Sequence, residues 1–149
     1  IHQRRLPEKW SIEEVLYHCY LLLKYTRQIS EFYIPAGKIA MKLSCSRPKF
    51  YNGVMNNIYA GPEPMPAPKI LVPKVSNEYS KGELRLILER ETDKLKRIVS
   101  RLSKEEAYWI TYPDPVPDYP NVIQTVKLLK IHEEHHYRVL LQRERNGEI

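Results

Sequence analysis

Apolar residues recur at helical spacing in three long segments of the chain, and each segment carries its own start signal. In the first, from about Ser11 to Tyr33, Ile12, Val15, Leu16, Cys19, Leu22, Leu23 and Ile29 form one stripe. Ser11 is placed to cap it, and Glu13 and Glu14 suit the positive helix start. Pro35 and Gly37 predict its end. The second begins after "YSKGE", where Ser80 and Glu83 have capping-box spacing, and continues through Leu84, Ile87, Leu88, Leu95, Ile98 and Leu102 to near Ser103. The third follows "PDPVPDYPN", whose four prolines exclude a helix, and runs from about Asn121 to Arg145 with Gly147 as its stop.

The segment from Pro35 to Val75, with its proline-rich "GPEPMPAPKILVPK", has no strong period and reads as a lid, a substrate loop or an ordered excursion over the surface. No repeat and no strand-type alternation appear. The expected architecture is therefore all-α: a single domain over residues 1–149, built as an up-down-up-down four-helix bundle. Three long helices are one short of four. The missing one is expected from the middle segment or from residues upstream of Ile1, so that the bundle's first helix is truncated or absent here.

Composition adds boundaries. Hydrophobic residues at 42% and charged residues at 28% are ordinary for a soluble chain of 149 residues, and no apolar run approaches the ~20 residues of a membrane span. The opening "IHQRRLPEKW" has no apolar leader core. Two cysteines, Cys19 and Cys45, do not make a disulfide scaffold, which suits a reduced, cytoplasmic setting. A net charge of +6 raises nucleic acid as a partner. The densest basic run, "KLKRIVSRLSK", argues against it, because its cations alternate with Leu95, Ile98, Val99 and Leu102 as on the solvated side of an amphipathic helix.

The chemistry concentrates near the C-terminus. "KIHEEHHYRVL" contains H-E-x-x-H, and at 100° per residue His132 and His136 fall on the face that also carries Val122, Val126, Leu129, Val139 and Leu140. His135 lies toward the edge, near Leu128. Two imidazoles four residues apart can share a metal ion; the alternative is a pair of hydrogen-bonded core histidines, which without a common partner would cost roughly 2 kcal/mol. A zinc protease needs a third ligand after the motif, but Val139 and Gln142 occupy the Gly and His positions of the extended pattern, and Glu144 and Glu148 lie too near the end. Upstream, "KWSIEEVLYHCYLL" places His18 on the flank of the first stripe, within reach across a bundle. His2 reads as solvated.

"KWSIEEVLYH", a Trp-Ser helix start with a histidine eight residues after the Trp, followed late in the chain by "HEEHH", resembles the DinB-like (YfiT-type) superfamily of metal-dependent enzymes. The resemblance implies a four-helix bundle whose metal is held by one histidine of the Trp-Ser helix and two of a late H-x-x-x-H, here His18, His132 and His136. It implies hydrolases or transferases that use a low-molecular-weight thiol, and it implies homodimers, although no stripe in the sequence marks an interface. This chain departs in having nine residues before Trp10 and a longer loop after the first helix.

Three neutral histidines leave a divalent ion, with nickel or zinc expected, an open position for water or thiol. Glu133, beside His132, is a candidate general base or an exposed helix glutamate. Glu91, in the middle of the second helix's apolar stripe, needs a partner: a ligand histidine, the metal-bound water, or an arginine from the missing helix. Glu14 is a weaker candidate that also suits the helix start. Of the 11 tyrosines, Tyr17, Tyr20, Tyr25, Tyr33 and Tyr137 share helices with the histidines, some to line a pocket and most to pack. The reading is a metal-dependent enzyme acting on a small molecule, with no nucleic acid and no membrane. The competing one is a non-enzymatic bundle whose histidine cluster is vestigial or structural and whose surface binds another protein.

Overall fold

The computed structural model describes residues 6–44, 51–74, 79–115 and 118–149. His2 and Cys45 lie outside them. The described residues form four α-helices, α1 (Ile12–Ser44), α2 (Lys81–Val99), α3 (Lys104–Trp109) and α4 (Val122–Arg145), with an isolated bridge between Thr111 and Asn121 and no strand. The all-α expectation holds, and among the described residues no helix is long and apolar enough to cross a membrane.

Helix α1 does not stop at Pro35 and Gly37 but runs through both for 33 residues. Pro35 removes a backbone donor inside the helix, a substitution that costs about 3 kcal/mol in a typical interior. Two features offset it. Pro35 and Glu31, whose carbonyl loses the bond, are both exposed, so water can serve that oxygen; and continuing the helix past Pro35 buries Met41. Gly37 is required by tertiary contact: a Cβ there would stand 2.8 Å and 2.9 Å from Cγ1 and Cγ2 of Ile110, which is 2% exposed. A residue that reads as a helix breaker is a place where the helix backbone passes directly against the core residue Ile110.

The second segment is also divided differently. Helix α2 starts at the predicted capping box, with Ser80 Oγ accepting from the Glu83 amide and Glu83 accepting from the Ser80 amide, but it ends at Val99. Ser103 then opens a second capping box with Glu106 and starts α3, a six-residue helix absent from the sequence reading. Helix α3 brings the described residues to four α-helices; in the middle segment they contribute a 3-10 turn at Lys69–Leu71 and no α-helix. Helix α4 begins as predicted, its Asn121 cap boxed with Gln124, and Gly147 beyond its end has φ +68°.

Helix α1 packs most extensively along α2 and organises two cores. Around its second half, Ile34 joins Ala107, Ile110, Tyr112 and Val122; around its first turns, Trp10, Val15 and Cys19 join Ala67 of the proline-rich segment, with Leu88 and Leu140 against them. Two stripe positions fall elsewhere than predicted. Ile29 is 40% exposed, because the inward face of α1 there is Ser30, Ile34 and Met41, and Val126 is 42% exposed, because α4 turns Val122 and Thr125 inward instead.

Candidate metal centre

His18 sits in the second turn of α1, and that turn is held from both sides. The Ser11 amide donates to Glu14 Oε2 at 2.9 Å and the Glu14 amide donates to Ser11 Oγ at 3.2 Å, which makes Glu14 a capping residue. The buried Trp10 ring lies 4.9 Å from the His18 imidazole, and Arg143 Nη1 donates to the Trp10 carbonyl at 2.6 Å, tying this corner to the end of α4. The Asn121 cap sets where α4 starts and hence which way His132 and His136, one turn apart, project.

The three side chains meet. His18 Nε2 is 2.9 Å from His132 Nε2, His136 Nε2 is 3.1 Å from the same atom, and all three residues are 3–4% exposed. His18 Nδ1 donates to the Leu71 carbonyl at 2.8 Å, so the proton of this neutral ring resides there and its Nε2 presents a lone pair to the cluster. His132 Nε2 can pass one proton to one neighbour, and the cluster as a whole then still turns lone pairs at one another. A divalent cation satisfies all three. With metal–nitrogen bonds of about 2.0–2.1 Å, ligand nitrogens stand about 2.9–3.4 Å apart between right-angled and tetrahedral geometry, which matches the observed spacings. His18, His132 and His136 are close enough to bind one metal ion.

Electrostatics keep the rings in the ligating form. Burial pushes His132 down to about 2, with His136 and His18 adding to the effect, and pushes His136 down to about 3, with His18 and His135 adding. Burial also lowers His18, against the Leu71 hydrogen bond. All three are neutral at physiological pH, as metal ligation requires.

The cluster forms the floor of a pocket of about 450 Å³. Leu22, Leu128 and Val139 are among its apolar walls, and residues 58–68 of the proline-rich segment cover much of it. Tyr59 lies in this cover, its ring stacked on His135 at 4.3 Å and 12°; burial pushes its hydroxyl up to about 12, so it stays protonated. His135 is thus at the pocket wall beside the cluster. Tyr59 and Leu71 are the positions at the candidate site that no sequence pattern marks. Both come from the segment without a period, whose length was the one signal, and Leu71 acts through a carbonyl that any residue could supply. The helix tyrosines are used otherwise: Tyr17 packs on Tyr20 and Tyr79, and Tyr137 is exposed.

The two carboxylates are not brought to the pocket. Glu133 lines a second cavity, about 790 Å³, with Cys19, Leu88 and Leu140; His136 lines both cavities. Glu133 is exposed as a residue, yet the groove around it raises its pKa by desolvation, and the Cys19 thiol beside it is pushed up to about 12 by burial and then by the Glu133 charge. Glu91 is buried and paired: Oε2 accepts from Arg27 Nε and Oε1 from Lys94 Nζ at 3.0 Å. Burial works to raise its pKa, and the bonds from Arg27 and Lys94 together overcome that and lower it. The predicted partner arginine exists but belongs to α1 and not to a missing helix. Arg27 stands nine residues beyond His18, about 13 Å along the helix, so this ion pair is remote from the histidines. No family model, no curated protein and no solved structure matches the chain.

Proposed function

We propose that the chain is a metal-dependent enzyme of the DinB-like kind, in which His18, His132 and His136 hold one divalent ion, nickel or zinc, and a small-molecule substrate takes the open position from the pocket under residues 58–68. The observation that carries this reading is the convergence of three buried imidazole nitrogens, one oriented by the Leu71 carbonyl, on the floor of that pocket. Structural zinc sites close their coordination with a fourth protein ligand, whereas three histidines facing a cavity leave room for chemistry.

A bound ion would ionise a water or a thiol placed on it. Thiol transfer is favoured over hydrolysis, because a metal-bound thiol needs no protein base and Glu133, the candidate base, lines the neighbouring groove. A thiol co-substrate and a free buried Cys19 both fit a cytoplasmic setting.

The test is metal analysis of protein purified without a histidine tag, followed by cobalt substitution and titration with a neutral thiol. The expected results are one ion per chain, its loss in His132→Ala, and a new thiolate-to-cobalt absorption band on titration. No metal uptake in the wild type would sink the reading and leave the non-enzymatic bundle. Uptake without a thiol band would turn the proposal to hydrolysis.

A further inference from the structure

Charge is distributed unevenly about the histidine pocket. Lysine and arginine outnumber aspartate and glutamate 24 to 18. Yet among the described residues no lysine or arginine lines that pocket, whereas three carboxylates do, Glu8, Glu63 and Asp114. Asp114 is engaged in an interaction of its own. Glu8 and Glu63 are exposed at the mouth and form no ion pair among the described residues. The neighbouring groove has no such bias, since Lys81 and Arg85 line it together with Glu89, Asp93 and Glu133.

Both free carboxylates stand on stiff backbone. Glu63 lies between Pro62 and Pro64, and a residue that precedes proline is confined to extended backbone. Glu8 is the middle residue of the 3-10 turn Pro7–Lys9, closed by the Lys9 amide on the Leu6 carbonyl at 3.2 Å and the Trp10 amide on the Pro7 carbonyl at 3.1 Å. Trp10 is buried against His18, so this turn is anchored to one of the rings of the pocket floor. Glu8 is near enough to His135 on the pocket wall for its charge to act there.

A cleft lined by one sign of charge concentrates ions of the other sign, with gains of about 10- to 1000-fold in encounter rate. Salt does not erase this, because the Debye length of ~8 Å is comparable with the dimensions of a cavity of about 450 Å³. The floor, three buried imidazoles, makes the pocket a site; the carboxylates decide what it admits. With a divalent ion on the floor the two ends differ in sign, which suits a molecule with an electron-pair donor at one end and a cation at the other. We propose that the substrate of this pocket is a small organic amine, its ammonium group held by Glu8 and Glu63 and its donor atom turned to the three histidines, and that acids are rejected at the mouth. The donor end rests on the metal site proposed above; the charge selection at the mouth does not.

Two charged reagents read the mouth without any metal. Leu128, in the pocket wall, is replaced by cysteine in a Cys45→Ser background. The metal-free protein is treated with trimethylammonioethyl and sulfonatoethyl methanethiosulfonate, each rate being divided by that with a small free thiol. The same protein without Leu128→Cys reports any reaction at buried Cys19. The cation should react about 10-fold faster or more, and Glu8→Gln/Glu63→Gln should lower this ratio about 5-fold or more. Circular dichroism should not change, because both side chains are exposed. Equal rates before the glutamines are introduced, or a ratio that they leave intact, overturn the inference. The amine is then tested on cobalt-substituted protein with cysteamine and mercaptoacetate, small thiols of opposite charge. Their affinity ratio should fall about 5-fold or more in Glu8→Gln/Glu63→Gln, a comparison in which the acidities of the two thiols cancel. An unchanged ratio overturns the amine assignment while the metal site stands. A missing thiolate band bears on thiol binding alone, and the labelling ratio still decides the charge selection.

Discussion

Removing either member of the Arg27–Glu91 pair should cost about 2–3 kcal/mol of stability, and removing both should cost much less. The side chains are 12% and 10% exposed, so each charge has given up most of its water and relies on the other. Deleting one partner of a fully buried pair costs about 3–5 kcal/mol, mainly from the charge left behind. Here the survivor keeps some compensation, which sets the lower figure: Glu91 retains Lys94 at 3.0 Å, and Arg27 retains Glu31 at 2.8 Å, both through side chains more than half exposed. Urea unfolding of Arg27→Leu, Glu91→Leu and the double variant would measure this, with a coupling energy of about 2 kcal/mol expected. Metal content of Glu91→Leu should equal that of the wild type. If Glu91→Leu keeps its stability and loses metal or activity, the structural assignment of Glu91 is wrong and the carboxylate belongs to the site.

Acid should destabilise the metal-free protein through its histidines. His132 and His136 are depressed to about 2 and about 3 in the fold and titrate near 6.5 when unfolded. The unfolded chain therefore takes up the extra protons, and stability present above about pH 7 falls as pH drops below 6.5. The loss is about 2 kcal/mol per histidine at pH 5. Unfolding curves at pH 7.5 and 5 should show a drop that His132→Leu/His136→Leu lacks; equal drops in both proteins would refute it. Gly37→Ala should lower the melting temperature, corresponding to about 1–3 kcal/mol of overpacking against Ile110 that exceeds the ~1 kcal/mol alanine gains in a helix. In an Ile110→Ala background the same change should become neutral or stabilising, and a persistent loss would mean that Pro35, not the contact, governs this stretch. Ser103→Ala should cost about 1 kcal/mol through the α3 cap, visible as faster amide exchange in α3.

Local chemistry was legible wherever local chemistry decides. Ser80 with Glu83 and Asn121 with Gln124 start their helices as their spacing requires, and the periodicity of α4 placed His132 and His136 inward. His18 was reachable by asking what third ligand a two-histidine half-site needs. Errors came where a distant contact overrides a local preference. Pro35 and Gly37 are breakers on propensity, yet Ile110 gives the glycine a reason to be in a helix. Ser103 looks like the tail of α2 on the apolar stripe alone, although its spacing to Glu106 fits the same capping rule. Ile29 continues the apolar stripe smoothly in the sequence, while the buried face of the helix shifts to Ser30 and Ile34. The Leu71 carbonyl and the stack of Tyr59 on His135 could not be read at all, since neither leaves a pattern in the chain.

The hydrogen bond from His18 to Leu71 joins the cover of the pocket to its floor. Whatever raises the 3-10 turn at Lys69–Leu71 also breaks the hydrogen bond that fixes the His18 tautomer, so on the proposed metal reading an open cover and a tightly held ion would exclude each other in part. By linkage the effect runs in both directions with equal free energy. On that reading, a bound ion would favour the seated position of the proline-rich segment, and a ligand that holds the segment down would tighten the ion. The long excursion between α1 and α2 would thus be a means by which occupancy of the ion and access to it regulate each other.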